Sequence, residues 1–520
     1  MIIFFSCNLF FAGIVLYLQS GHKKGFLLKK LAINPVIYEI NTCIWLEELS
    51  RELNTHITLS NIPDKKWDEI ARLNFHAVWL MGVWKRSPEG VRISGRDIRN
   101  ISAFKQALPD FQESDNTGSP YCVKDYSVDP MFGGNAGLST ARHKLAERNI
   151  SLILDFVPNH LAFDHPWVTD HPDFFIHGSE DDIVADPVTF KRTGSHILAC
   201  GKDPYYPAWE DVLQLNAFSI GLRQFAVKTL TGIASMCDGV RCDMAMLLLN
   251  DVFQKTWGIK AGERPEEEYW SFIIESIKKE NPGFTFIAEA YWDMEYILQQ
   301  NGFDFCYDKR LYDRLKGNDV NLIRQHLSAD IKYQAHLVRF IENHDEPRVL
   351  SVFNLEKKKA AAIIIMSVPG AKLIHEGQLE GRRIHLPVFL RRRPYEEPNI
   401  LLKNFYANLL DITGSVELHG GDWFLCPVSG WDDNQSCRNI LAWYWKYENK
   451  ICLAAINFCA YPSQGFVYLR QSELAGHSWR LVDLFTQEHY IRAGDEMEGK
   501  GLYVGLEPWG FHFFQMFRII

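Results

Sequence analysis

Positive charge is what this sequence most lacks. Its 55 lysines and arginines are outnumbered by 64 aspartates and glutamates, so the net charge is −9 and the sequence pI is about 6.1. No basic field is available to hold nucleic acid, and that class of partner is excluded. Paired cysteine motifs are also missing. Eleven cysteines are scattered without a C-x-x-C pair or a Cys/His cluster of zinc spacing, and cysteine in that pattern suits a reducing compartment. There is no short internal repeat and no low-complexity tract. The chain is otherwise ordinary for a globular protein, with 47% apolar and 23% charged residues.

No apolar run reaches comfortable membrane-spanning length. The nearest, Ile2 to Leu18, is interrupted by Asn8 and Gly13. No basic region precedes it, as a signal peptide requires. The lysines come afterwards, at Lys23, Lys24, Lys29 and Lys30, an order that would leave the body of the protein in the cytoplasm even if the run inserted. Residues 1–30 therefore read as an anchor, an atypical signal or a start site set upstream of the true domain. A cytoplasmic location is expected, with membrane-anchored and secreted locations as the alternatives.

What is present is a repeating alternation. Eight short runs rich in β-branched and aromatic residues read as strands: 36–40, 77–81, 152–156, 237–242, 284–288, 303–306, 337–341 and 371–374. Amphipathic stretches lie between them, among them 64–73, 138–147, 221–236, 266–280 and 356–366. Strand alternating with helix implies a parallel sheet, and eight such units imply a closed (β/α)₈ TIM barrel over residues 31–415. Two connections are long, 81–135 and 160–218; the second gives the barrel a loop insertion after its third strand, at about 161–217. Beyond 415 strand-like runs follow one another without helices, which predicts a C-terminal antiparallel β-sandwich over 416–520. That segment carries Trp423, Trp431, Trp443 and Trp445, rings that could bind glucan but whose more ordinary work is to shield the barrel's apolar side.

Polar groups stand at or just after the ends of four of the predicted strands. They are Asp155 with Asn159 and His160, then Arg241 and Asp243, then Glu289, then His344 and Asp345. A barrel gathers such positions on one face. Carboxylates brought together repel unless one is protonated or a cation pairs them. That arrangement suits glycoside cleavage, which needs a nucleophilic carboxylate and a carboxylic acid of raised pKa.

The segments Asp155-Phe156-Val157-Pro158-Asn159-His160, Gly239-Val240-Arg241-Cys242-Asp243, Glu289 after its strand, and Asn343-His344-Asp345 resemble the ordered diagnostic regions of the α-amylase superfamily, glycoside hydrolase family 13. Gly118-Ser119-Pro120-Tyr121, Gln214-Leu215-Asn216 and Gly377-Gln378-Leu379-Glu380-Gly381 are similar to further family segments. The resemblance runs from about Asn34 to the C-terminus.

It implies a retaining glycoside hydrolase acting on α-1,4-linked glucans or malto-oligosaccharides. Asp243 would be the nucleophile, Glu289 the acid/base and Asp345 the third catalytic carboxylate. Arg241, His160, His344 and Tyr121 would bind substrate. No cofactor is required for the chemistry. Asn159 matches a position that binds calcium in many relatives, so a structural calcium is a further expectation there. An α-glucan transglycosylase or glucosyl isomerase would use the same triad. The amylase-like heavy subunits of amino-acid transporters offer a non-catalytic alternative, with membrane association through residues 2–18. One departure stands out. Where the family often has Lys and His three and four positions after the nucleophile, this chain has Met246 and Leu247, so a contact on the reducing-end side is absent or supplied elsewhere.

Overall fold

The structure, a computed structural model, describes residues 31–470 and 473–519. Expectations about residues 1–30 lie outside the described residues. Eight parallel strands close into a barrel: β1 (Val36–Asn41), β2 (Ala77–Met81), β3 (Ser151–Phe156), β4 (Gly239–Cys242), β5 (Thr285–Ala288), β6 (Phe305–Tyr307), β7 (Leu337–Arg339) and β8 (Ala371–His375). Each pairs with its successor, and β8 returns to β1 with Ile37 opposite Leu373. All eight expected strands are present. Their ends shift by up to two residues where a turn competes with the strand, so β4 starts at Gly239 rather than Cys237.

Alternation along each strand divides the core in two. Ile37, Trp79, Ile153, Ile287, Val338 and Leu373 pack together inside the barrel, while the residues between them face the surrounding helices. The interior set turns polar toward the C-terminal ends, and that transition makes the site. Helix Leu355–Ser367 is buried along nearly its whole length, because the barrel covers one side and the C-terminal sheets cover the other. A helix enclosed in this way is apolar all round, as Ala360–Met366 are.

The long connections carry structure of their own. After β2, strand Trp84–Arg86 pairs with Val123–Val128, with helices Pro88–Ser94 and Ile98–Ala107 between them. After β3, strands His160–Ala162, Trp209–Gln214, His196–Gly201 and Phe190–Thr193 form a four-stranded antiparallel sheet. The insertion is thus a small sheet rather than an open loop. At the C-terminus a six-stranded and a three-stranded antiparallel sheet face each other across a separate core. Trp443 and Trp445 are buried against the barrel, where their indole N–H groups donate to Ser367 Oγ (3.2 Å) and Ser367 O (2.6 Å). These two rings shield the barrel, as expected.

Among the described residues, no helix is long and apolar enough to cross a membrane. The ten described cysteines are all free thiols.

Candidate active site

Register places the charged groups. Arg241 on β4 lies opposite Asp155 on β3 and Ile287 on β5. Beyond the strands the ladder runs on for one more residue: Asp243 N–H donates to Phe156 O (2.8 Å) and Glu289 N–H to Cys242 O (3.0 Å). A period of two then points Arg241, Asp243 and Glu289 the same way, into the mouth of the barrel. The guanidinium of Arg241 is buried and bridges both acids, with Nη1 2.7 Å from Asp243 Oδ1 and Nη2 2.8 Å from Glu289 Oε2. Aromatic rings enclose it, Tyr121 at 5.1 Å, Trp79 at 5.4 Å and Tyr307 at 5.9 Å from Cζ.

Asp155 is the buried foundation of this cluster. Its Oδ2 accepts from Gly82 N–H (3.0 Å) and its carbonyl from Trp84 Nε1 (2.7 Å). Gly82 is required there: its φ is +76°, and a Cβ would stand 2.6 Å from Pro120.

A second unit comes from β7 and β1. His344 donates through Nδ1 to Glu39 (2.5 Å), while its Nε2 lies 3.0 Å from Asp345 Oδ2 and 2.7 Å from the Tyr121 hydroxyl. Tyr121 stacks on the His344 ring, with centroids 5.5 Å apart. His160 approaches Asp243 Oδ2 at 3.9 Å.

These contacts separate the protonation states. Burial, offset by Arg241 and assisted by the Asp243 and Asp345 charges, pushes Glu289 up to about 7. Burial also raises Asp243, against the direct pull of Arg241. Burial opposes charge on His344, but Asp345 and Glu39 overcome it and raise the imidazole to about 10. Asp345 gains in return: burial works against its charge, and His344 holds it down to about 2. Burial lowers His160 to about 3, so that ring is neutral.

Ser119, Tyr121, His160, Asp243, Glu289 and Asp345 all line one cavity of about 320 Å³, the lower end of ligand-pocket sizes (about 300–1,000 Å³). The structure therefore gathers every residue expected at the site except Asn159. The Asn159 side chain is committed to the inserted sheet instead. Its Oδ1 accepts from Gln214 Nε2 (2.9 Å), and its Nδ2 donates to Gln214 Oε1 (3.3 Å). Calcium asks for six to eight oxygen ligands, carboxylates prominent among them. Here an amide faces an amide, and no group of three His, Cys, Asp or Glu side chains able to hold a metal occurs among the described residues. The donor set at Asn159 does not fit a calcium ion.

The cavity also has walls that the sequence did not reveal. Trp209, Asp211 and Val212 come from the inserted sheet, Met244 and Tyr291 follow the two acids, and Phe389 follows β8. Trp209 packs edge-on against His160, 5.2 Å between centroids. Tyr291 donates its hydroxyl to Glu289 Oε1 (3.0 Å), and Met244 N–H donates to Glu289 Oε2 (2.6 Å). Tyr291 could have been found by its place two residues after Glu289. The inserted sheet carried no strand-end signal to mark its wall residues. Met246 and Leu247 are buried in the turn Ala245–Leu248 and do not line the cavity.

Fold and site together define a (β/α)₈-barrel protein with a carboxylate cluster at the C-terminal mouth. Comparison with known proteins narrows the class. The model of the α-amylase catalytic domain matches residues 59–192. An α-amylase of Haloarcula japonica is 24% identical over 282 residues, 52% of this chain and 38% of that one. An α-amylase of Dictyoglomus thermophilum is 21% identical over 354 residues, 64% of this chain and 62% of that one. The chain thus spans less than two thirds of the length of these curated relatives. A noncanonic maltogenic α-amylase of Thermotoga neapolitana shares the fold, with a TM-score of 0.66 and 17% identity over 94% of this chain and 99% of that one. Over residues 59–192 the chain is similar to the α-amylase catalytic domain, and its fold is the one that solved α-amylases share.

Proposed function

We propose that this protein cleaves α-1,4-linked glucans or malto-oligosaccharides by a retaining double displacement. The observation that carries the reading is the single buried guanidinium holding Asp243 and Glu289 side by side in one cavity. A shared guanidinium brings the two carboxyls near each other, which favours the closely set nucleophile and acid/base of a retaining pair (about 5–5.5 Å).

In the first step an Asp243 oxygen attacks the anomeric carbon while the bond to the glycosidic oxygen breaks. Glu289, its carboxyl pushed up to about 7 by burial, gives that oxygen its proton from the acid form and becomes a carboxylate. In the second step Glu289 takes a proton from water, the hydroxide oxygen bonds to the anomeric carbon, and Asp243 leaves as the carboxylate. Arg241 keeps Asp243 ionised for attack. Charged His344 and Asp345 hold sugar hydroxyls as positive charge develops on the ring, and Tyr121 supplies an apolar face beneath it.

Incubation with maltoheptaose, followed by chromatography of the products, tests this function. Shorter maltosaccharides from the wild type and none from D243N are expected. Products longer than the substrate would show that a sugar hydroxyl replaces water in the second step, making the protein a transferase. If wild type and D243N are equally inert on α-glucosides, the catalytic reading fails and a binding role takes its place.

A further inference from the structure

Trp443 and Trp445 are absorbed by the contact with the barrel, but Trp431 is not. It belongs to the outer face of the three-stranded sheet, whose strands are Val428–Ser429, Ser463–Val467 and Leu502–Leu506. Val467, Leu502, Val504 and Leu506 point inward and fill the core between the two C-terminal sheets. Alternation leaves Ser429, Gln464, Phe466, Tyr503 and Gly505 outward, where an antiparallel sheet ordinarily carries polar groups. Phe466 stands opposite both Ser429 and Tyr503 in the register. Two aromatic rings therefore lie side by side on the open face.

Trp431 completes the patch. It is 37% exposed and Tyr503 48%. The turn after Ser429 holds the indole in place: Asn434 N–H (3.1 Å) and the Gln435 amide (2.8 Å) both donate to the Trp431 carbonyl. Gly430 admits this turn, since a Cβ there would stand 2.8 Å from Asn434 O. The Trp431 ring lies 5.0 Å from Phe466 and 6.3 Å from Tyr503, centroid to centroid, and the last two are 5.9 Å apart. Their planes are inclined to one another by 55°, 64° and 62°. With no two rings parallel, the three form a shallow cup rather than a flat strip.

Size and charge narrow what the cup fits. Aromatic side chains offer about 150–250 Å² each, and three partly covered ones fall well short of the roughly 800 Å² per partner of a stable protein interface. The three strands carry no charged residue, and the turn adds the exposed Asp432 and Asp433, which repel nucleic acid and anionic membrane. A neutral sugar chain meets the remaining terms. Its C–H faces pack on the rings. Gln464 accepts from the Tyr503 hydroxyl through Oε1 (2.9 Å) and has amide N–H groups to donate to sugar oxygens. An α-1,4 linkage bends a glucan into a curve that suits a cup, whereas a β-1,4 linkage makes a flat ribbon.

We propose that Trp431, Phe466 and Tyr503 form a second carbohydrate site, which holds a curved α-linked glucan chain on the C-terminal domain. None of the three lines the catalytic cavity. The choice of glucan rests on the reading of the substrate given above.

The test uses full-length wild type, W431A and Y503A. Each is mixed with insoluble amylose or with cellulose, the bound fraction is read by depletion, and turnover of maltotriose is measured on the same samples. Each variant should bind amylose about tenfold more weakly than wild type, the scale of one lost ring contact. Maltotriose turnover should stay unchanged, and cellulose should retain none of the three. Y503A serves if W431A does not fold. Amylose binding that is unchanged in both variants, or missing in the wild type, would overturn the proposal, as would equal retention on cellulose. A wild-type dimer in sedimentation that W431A dissociates would assign the patch to a second copy of the chain and overturn it as well. Amylose binding that depends on Trp431, in a wild type that leaves maltotriose intact, would sink the catalytic reading and keep this site. Turnover with unchanged amylose binding would do the reverse.

Discussion

Asp243 and Glu289 are held by opposite nitrogens of one guanidinium, Nη1 and Nη2 of Arg241. Lysine keeps the charge but offers no planar fork to span two carboxyls. R241K should therefore fold and lose roughly a hundredfold or more in kcat, the scale of losing a fixed electrostatic partner. Steady-state kinetics with circular dichroism on the same samples check this. Retained kcat would show that the bridge is not needed.

The pH dependence follows from Glu289. Its carboxyl titrates near 7 in the folded protein because burial raises it from 4.5. A raised carboxyl contributes stability that is fully present below its unfolded pKa and is lost as pH rises through its folded pKa. The acid form needed for catalysis disappears over the same window. The basic limb of kcat/KM should therefore fall with a midpoint near pH 7, while His344, raised to about 10, stays charged across it. A basic limb above pH 9 would contradict the assignment.

The barrel has a second buried charge cluster away from the cavity. Asp308, directly after β6, accepts from buried Arg339 on β7 and from His326 (2.8 Å). Both arginine and aspartate are essentially unexposed, so D308N leaves a buried guanidinium without its counter-charge. A loss of about 3–5 kcal/mol in unfolding free energy is expected, read by chemical denaturation. A loss below about 1 kcal/mol, the scale of an exposed pair, would show that water reaches the cluster.

Metal removal should leave the protein unchanged. Asn159 and Gln214 satisfy each other, so EDTA should alter neither the thermal midpoint nor turnover. A marked fall in the midpoint, reversed by calcium, would show that oxygens elsewhere assemble a site.

Much of this was legible in the residues themselves. The barrel could be read because each strand is a short apolar run followed by an amphipathic helix, and the acids could be read because they stand where those runs stop. Glu39 escaped notice because it lies inside β1, two residues before the end of Val36–Asn41, whereas Asp243 and Glu289 stand just past the ends of their strands. Trp209 and Asp211 were hidden for a different reason. They act through the packing of an inserted sheet whose strands, such as Trp209–Gln214, have no regular alternation. The partner of Asn159 could not be read at all, since its neighbour across space, Gln214, lies 55 residues away.

The central claim is a covalent glucosyl bond to Asp243. Incubation with 5-fluoro-α-glucosyl fluoride, followed by intact-mass measurement and peptide mapping, tests it most directly. The account predicts one fluoroglucosyl group per chain, carried on Asp243 and absent from D243N. A protein that turns over maltoheptaose yet carries no adduct, or carries it on another residue, would contradict it.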